Sequence, residues 1–399
     1  MSKSRPIASA ALILVMLLAA CTTRLPASPT TLPPAEAPSS AQAASPAPVT
    51  PAQALSPTPL QPEATSPPSA APSTTLSPSA TPAAPAAVAG TPARLAITLA
   101  NAANLQTVNQ VSQAGAKNLA WLPDNQSLAL NTGQQVTFFN LQALKTTGNA
   151  SAAATLLRAS PDQQVVAWAA KDNTIHLWNV ADQKEIRAFS GFTATVTSLA
   201  FSPGNRTLAA STFDSTLRIW DPASGQLLNT QKFPYWLADL AYSPDGKLLA
   251  GIDLPNFTAH IYDAGSGKET RTLAWNQDAI PALSGAFFSP DWKTLAWVAR
   301  GTVQLMDVAS GSLGPSLDHE DYVNAVTWSP DGKLLGAAAA ATVNGNLSPA
   351  VLVWDAAAGK VLKVLPQPDA ALDLAFSPNG QTLATLANNG AVQLWAVPR

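Results

Sequence analysis

The chain has 399 residues, with 22 Lys and Arg against 24 Asp and Glu for a formal net charge of −2, three His and a single Cys. Near-neutrality excludes a strongly basic nucleic-acid binder, and one cysteine excludes an internal disulfide framework or a cage of several thiolates around zinc or iron. Charged residues make up 12% of the chain, about half the roughly 25% usual in soluble domains, so surface polarity falls mostly to Ser, Thr, Asn and Gln.

Residues 1–20 place Lys3 and Arg5 before an uncharged 14-residue stretch, Ile7 to Ala20, centred on Leu12-Ile13-Leu14-Val15-Met16-Leu17-Leu18. A charged start followed by an apolar run too short to span a bilayer is the pattern of a secretory signal peptide. The run ends in Leu18-Ala19-Ala20-Cys21, which resembles the lipobox of bacterial lipoproteins. That resemblance implies lipidation of Cys21, removal of the peptide before it, and anchoring to the outer face of a bacterial membrane. Two or three acyl chains hold a protein where one would bind only marginally. Thr22 follows instead of Asp, so the inner-membrane retention signal of some double-membraned bacteria is missing. An ordinary cleaved signal, or an uncleaved anchor with an incidental cysteine, is the other reading of these residues.

From Thr22 to Pro92, 57 of 71 residues are Ala, Pro, Ser or Thr, 18 of them Pro, and residues 1–92 contain no aromatic side chain. Such a segment buries too little apolar area to offset its ordering entropy, and its prolines favour extended polyproline-II stretches. Residues 21–92 are therefore expected to be a lipidated cysteine and a disordered, Pro-rich stalk. Fully extended, it would reach roughly 200 Å at about 3.1 Å per residue. A proline-rich docking motif is the alternative, but the prolines are spread diffusely through the segment.

Residues 93–399 hold all 26 aromatic side chains and repeat themselves. A turn proline recurs at Pro123, Pro161, Pro203, Pro244, Pro290, Pro330 and Pro378, at intervals of 38, 42, 41, 46, 40 and 48 residues. Around it stand Ser-Pro-Asp-Gly at 243–246 and 329–332, Ser-Pro-Asn-Gly at 377–380 and shorter versions elsewhere. Pro fixes φ, Asp or Asn and then Gly suit the positions after it, and a type I turn between two strands is predicted. Two residues before the anchor the side chain is aromatic in six of seven copies, from Trp121 to Phe376. Five residues after it comes Leu or Val followed by Ala or Gly. A later run alternates in period two and ends on a large side chain, as in Leu217-Arg218-Ile219-Trp220 and Val351-Leu352-Val353-Trp354. Alternation assigns one face of each such strand to the core and leaves His176 and His260 pointing outward. A fourth short strand follows in most copies, for example Gln226 to Thr230 or Lys360 to Leu365.

These residues resemble the WD40-repeat family of β-propellers, in what looks like a divergent bacterial form. Trp220-Asp221 and Trp354-Asp355 are its naming dipeptide, with Trp178-Asn179, Tyr262-Asp263 and Met306-Asp307 as relaxed versions. The family repeat is about 40–45 residues and four strands per blade. The resemblance implies an all-β fold over 93–399, a seven-bladed propeller of four-stranded antiparallel blades. The last copy stops after its third strand, so Leu105 to Ser112 is expected to supply the missing one and close the ring, which removes an exposed sheet edge. The family's Gly-His pair is nearly absent, with Gly191-Phe192, Lys232-Phe233 and Asp318-His319 in its place. Its Asp–His–Ser/Thr–Trp network therefore stays incomplete in most blades, leaving aromatic packing to do most of the holding.

Little in the propeller points to chemistry. Gly265-Ser266-Gly267-Lys268 lacks the first Gly and the Ser/Thr of a phosphate loop, and no Gly-x-Ser-x-Gly elbow occurs. The densest polar run, Asp318-His319-Glu320-Asp321, reads either as a solvated loop whose His fills the family's usual slot or as divalent-metal ligands. In this family the connections from fourth to first strands and from second to third strands share the face where partners commonly dock. That implies Phe213, Tyr235, Trp236, His319 and Tyr322 as candidate partner contacts. Phe192 and Phe233 are read either way, as contacts or as packing where His would sit. In blade six the extra length from Ala341 to Pro349 would project from the same face. The expected function is a monomeric, non-catalytic binding or scaffold module for a protein or envelope component, without cofactor, metal or nucleic acid. An extracytoplasmic hydrolase or metal-dependent enzyme at the channel mouth near His319 is the alternative. With so little charge, partner choice would rest on aromatic and neutral polar contacts, not electrostatic steering.

Overall fold

The computed structural model describes residues 94–122, 124–150, 154–162, 164–275 and 285–398. The expected signal peptide, Cys21 and the proline-rich segment lie outside the described residues, as does the turn residue Pro123. Within the unit Pro92–Arg399 the described strands form seven antiparallel sheets of four strands each. Six sheets use four consecutive strands, as blade three does with Val196–Phe201, Leu208–Thr212, Thr216–Trp220 and Leu227–Lys232. The seventh combines Ala371–Phe376, Leu383–Ala387 and Ala391–Ala396 with Gln106–Ser112 from the start of the ring. That closing strand pairs antiparallel with Ala391–Ala396, from Gln106↔Ala396 to Ser112↔Ala391. Gly390 marks the junction, at φ 83°, where its carbonyl accepts the Gln113 N–H at 2.9 Å.

The anchor turns are held by a repeated device. Ser243 Oγ donates to Asp245 at 2.7 Å and accepts the Leu248 N–H at 2.9 Å, while the Gly246 N–H returns to Ser243 O at 2.8 Å. Ser329, Asp331, Gly332 and Leu334 repeat it in blade six. The residue two after the anchor is left-handed in every described copy: Asn125, Asn205, Gly246, Trp292, Gly332 and Gly380. Gly and Asn are the residues that adopt this conformation at low cost.

Both faces of each blade are covered. Seven apolar clusters each join two neighbouring blades. One packs Ala167, Ile175 and Leu177 of blade two against Leu199, Leu208 and Trp220 of blade three. The aromatic side chains before the anchors cross these seams: Trp121 Nε1 donates to Ala375 O at 2.9 Å, and Trp328 Nε1 to Phe287 O at 3.3 Å. Coverage on both faces corrects the expected outward orientation of two histidines. His260 is only 8% exposed, and His176 stacks on the fully buried Trp168 with ring centroids 5.3 Å apart. A side chain that points away from one interblade core points into the next.

The first strands of neighbouring blades approach one another at the centre of the ring, so their free edges face the channel. Part of that edge is satisfied by a rule with the period of the repeat. The side chain five residues before an anchor accepts the backbone N–H four residues before the next. Ser198 Oγ takes the Leu240 N–H at 2.9 Å, Asp373 takes the Leu119 N–H at 2.8 Å, and Asp239 takes that of Ala286.

Candidate functional site

Strand direction alternates within a blade, so second-to-third turns and blade-to-blade connections emerge on one face of the ring. This face carries the residues singled out for binding. Phe213, in the second-to-third turn of blade three, is 44% exposed. Trp236, in the connection to blade four, is half-buried and meets it edge-on, with ring centroids 5.0 Å apart. Beneath Phe213, Asp214 accepts hydroxyl bonds from Thr193, Thr212 and Thr216. Burial pushes its carboxyl pKa up, but these bonds and the Thr216 N–H outweigh it and hold the group well below the usual carboxylate range. The turn under the aromatic pair is therefore anchored by a permanent anion.

Tyr235 has a different setting. It is half-buried, stacked on His260 at 4.2 Å between centroids, with its hydroxyl 3.0 Å from His260 Nδ1 and 2.9 Å from the Tyr262 hydroxyl. Glu269 also approaches His260 Nδ1, at 3.0 Å. Phe233 packs against Tyr262 with centroids 5.0 Å apart. Blade four thus substitutes a Tyr–His–Tyr–Glu network for the family's usual one, and Phe192 of blade three fills the corresponding slot against Trp220 at 5.3 Å. Both phenylalanines pack where histidine would sit.

A second exposed cluster lies between blades five and six. Tyr322 is 50% exposed, with the Arg300 guanidinium 5.8 Å from its ring centroid. Arg300 sits in a two-residue turn at φ 42°, an uncommon conformation for a long side chain. Next to it, Trp354 Nε1 donates to His319 Nε2 at 3.1 Å, so His319 fills the family's histidine slot. Burial, chiefly, pulls its pKa down against the nearby carbonyls of Leu317 and Gly301.

The neighbouring acids diverge. Asp318 accepts from Thr302 and Ser316. Glu320 accepts from both the N–H and the hydroxyl of Thr342, bonds that lower its pKa. Asp321 accepts the Tyr322 N–H at 2.8 Å. Among the described residues no group of three or more His, Cys, Asp or Glu side chains is arranged to hold a metal ion.

Three polar residues at the channel escaped the sequence reading. Asp239 and Asp373 are driven by burial to a pKa of about 6, with Arg158 pulling each back. The available signal was their shared place, five residues before an anchor in otherwise apolar first strands.

Comparison with known proteins adds the family. The profile described as "WD domain, G-beta repeat" matches residues 183–221, 310–348 and 359–396. Each match begins near a fourth strand and runs into the next blade, the same offset that closes the ring. Telomerase protein component 1 of Rattus norvegicus is 34% identical over 116 residues, 29% of this chain and 4% of that protein. WD repeat and SOCS box-containing protein 1 of Takifugu rubripes is 33% identical over 99 residues, 24% of this chain and 22% of the relative. Target of rapamycin complex subunit wat1 of Schizosaccharomyces pombe is 29% identical over 157 residues, 39% of this chain and 47% of the relative. The chain thus spans less than half the length of each of these relatives. WD-repeat propellers generally act as non-catalytic platforms for protein interaction. The chain thus carries WD repeats, matched in three places, within seven four-stranded blades closed into a ring, the architecture of a β-propeller.

Proposed function

We propose that the protein is a non-catalytic binding module, tethered through Cys21 to the outer face of a bacterial membrane, that engages a protein of the cell envelope through the face bearing Phe213, Trp236 and Tyr322. The observation that carries this reading is the clustering on that face of the exposed Phe213 and Tyr322 with the half-buried Trp236 and with Arg300. Phe213 meets Trp236, and Tyr322 lies beside Arg300. Trp, Tyr and Arg dominate binding energy at protein interfaces. His319 contributes by positioning, since its Nε2 is engaged by Trp354.

The tether rests on the residues around Cys21 and the composition of 22–92. Metabolic palmitate labelling that is lost in Cys21→Ser supports it, and labelling that persists removes it. For the binding face, crosslinking capture with the full chain in envelope extract is expected to recover a protein retained by the parent and lost by Trp236→Ala. A hydrolytic activity abolished by His319→Ala in a folded protein would overturn the non-catalytic reading.

A further inference from the structure

The second and third strands of blade six, Leu334–Val343 and Asn346–Asp355, are ten residues each and pair from Leu334↔Asp355 to Val343↔Asn346. Asn344 and Gly345 join them at φ 53° and 79°, the left-handed pair of a type I′ hairpin turn. The first strand, Ala325–Trp328, accompanies this hairpin only as far as Ala325↔Ala338, with one further bond from Asn324 N–H to Ala338 O. A two-stranded ribbon therefore continues past its blade.

Its hydrogen-bond phase follows from the turn. In a two-residue hairpin the closing pair, Val343 and Asn346, exchanges both bonds, and alternate pairs do the same. Ala340↔Pro349 and Thr342↔Leu347 are then the pairs between them, whose backbone groups point away from each other. Pro349, with no N–H, fits at such a place. On the outer side the edge is closed, because Pro349 offers no donor and its carbonyl accepts the Gln367 N–H at 2.9 Å. On the inner side the groups of Ala340 and Thr342 face out. Among the described residues nothing bonds the Ala340 N–H or C=O there. The Thr342 N–H is met by Glu320 Oε1 at 3.0 Å, and the Thr342 hydroxyl by Glu320 Oε2 at 2.6 Å. The Glu320 carboxylate stands where the carbonyl of a neighbouring strand would stand.

We propose that this inner edge is a strand-addition site for an extended segment of a protein partner carrying Lys or Arg opposite Glu320. The proposal rests on the protein-binding reading above and names one site for it. Donors and acceptors repeating every second residue are matched by extended backbone, the usual mode of recognition at an open sheet edge. One residue of the segment exchanges both bonds with Ala340. The residue two along gives its carbonyl to the Thr342 N–H and displaces Glu320, and the released carboxylate pairs with the segment's cation. Asp318, the last residue of the preceding strand, and Asp321 on the connection lie two residues before and one after Glu320 and add to the negative charge. Leu347, 56% exposed and paired with Thr342, supplies apolar contact on the same face of the ribbon.

The test uses the full chain with a fluorescent peptide of alternating lysine and valine, an alternating threonine and valine peptide, and a lysine–valine peptide N-methylated at every second residue. Binding is read by fluorescence anisotropy and by hydrogen exchange of 338–345. The lysine–valine peptide is expected to bind and protect 338–345, and the methylated one to lose the effect. Ala340→Pro, which removes a donor that bonds nothing in the ribbon, should weaken binding about tenfold or more with an unchanged melting midpoint. Glu320→Gln should weaken the lysine–valine peptide about three- to tenfold and leave the threonine–valine peptide unaffected.

Absence of protection at about 1 mM peptide, equal binding by the methylated peptide, or equal binding by Ala340→Pro would overturn the proposal. If Ala340→Pro does not fold, the methylated peptide decides alone. Loss of a captured partner in Trp236→Ala, with 338–345 unprotected by peptide, would leave the binding module standing and the strand-addition site refuted.

Discussion

Replacing Asp239 by Asn tests whether the channel carboxylates are held at a cost. Asp239 is half-buried at the ring centre, and its burial, opposed by Arg158 and by the bond from the Ala286 N–H, moves its pKa from 3.8 to about 6. A carboxyl raised in the folded state binds its proton more tightly there than in the unfolded chain. Folding is therefore favoured at low pH, and stability is lost as pH rises from about 4 through about 6. The loss amounts to about 3 kcal/mol above pH 6 at roughly 1.4 kcal/mol per pH unit, and the partial exposure of Asp239 trims it to about 1–3 kcal/mol. Asn keeps an acceptor for the Ala286 N–H and carries no charge. In urea unfolding at a series of pH values, Asp239→Asn should match the parent at pH 4 and exceed it by about 1–3 kcal/mol at pH 8. Asp373 is a built-in contrast, since its two oxygens separately accept the Leu119 and Leu374 N–H groups. Asn there forfeits one acceptor, and its gain at pH 8 should be smaller. A stability difference independent of pH, or an Asp239→Asn protein weaker than the parent at pH 8, would refute the reasoning.

Gly390→Ala should damage ring closure, because a Cβ at this left-handed position would lie 2.4 Å from the Gln113 carbonyl oxygen. A loss of about 2–4 kcal/mol in denaturant unfolding is expected. Ser329→Ala removes a buried hydroxyl that serves both Asp331 and the Leu334 N–H, costing about 1–3 kcal/mol. Ser243→Ala should cost as much, and the double variant should be additive within about 0.5 kcal/mol, since the two turns share no partner. Trp354→Phe keeps the apolar volume but leaves His319 Nε2 without its donor, so a loss near 1 kcal/mol by the same assay is expected.

The parts of this fold legible in the sequence are those that repeat along it. Pro244 and its turn, the alternation of Leu217 to Trp220 and the aromatic residue before six of the seven anchors are local signals, and each lies where its period places it. Even ring closure was legible, because the seventh copy ends a strand short and Leu105 to Ser112 has the right pattern. What stayed hidden depends on neighbours far away in sequence. Asp373 and Leu119 meet across 254 positions, and only the closed ring shows why a carboxylate stands in an apolar strand. His260 was misplaced for a related reason, since period-two alternation identifies one buried face and says nothing of the next blade covering the other. The ribbon of blade six showed in the sequence only as extra length. Its exposed donors follow from the phase set by Asn344 and Gly345, which requires the register of both strands.

The central claim is that binding is carried by one face of the ring. Its most direct measurement is the affinity of the captured envelope protein for the purified full chain and for Trp236→Ala, Tyr322→Ala and Leu99→Ser. Leu99 is exposed among the first-to-second and third-to-fourth turns of blades five and six, on the opposite face. Truncating either aromatic residue should weaken binding by about 2 kcal/mol, near thirtyfold, while Leu99→Ser binds as the parent does. Parent-like affinity in both aromatic variants, or a loss confined to Leu99→Ser, would contradict the account.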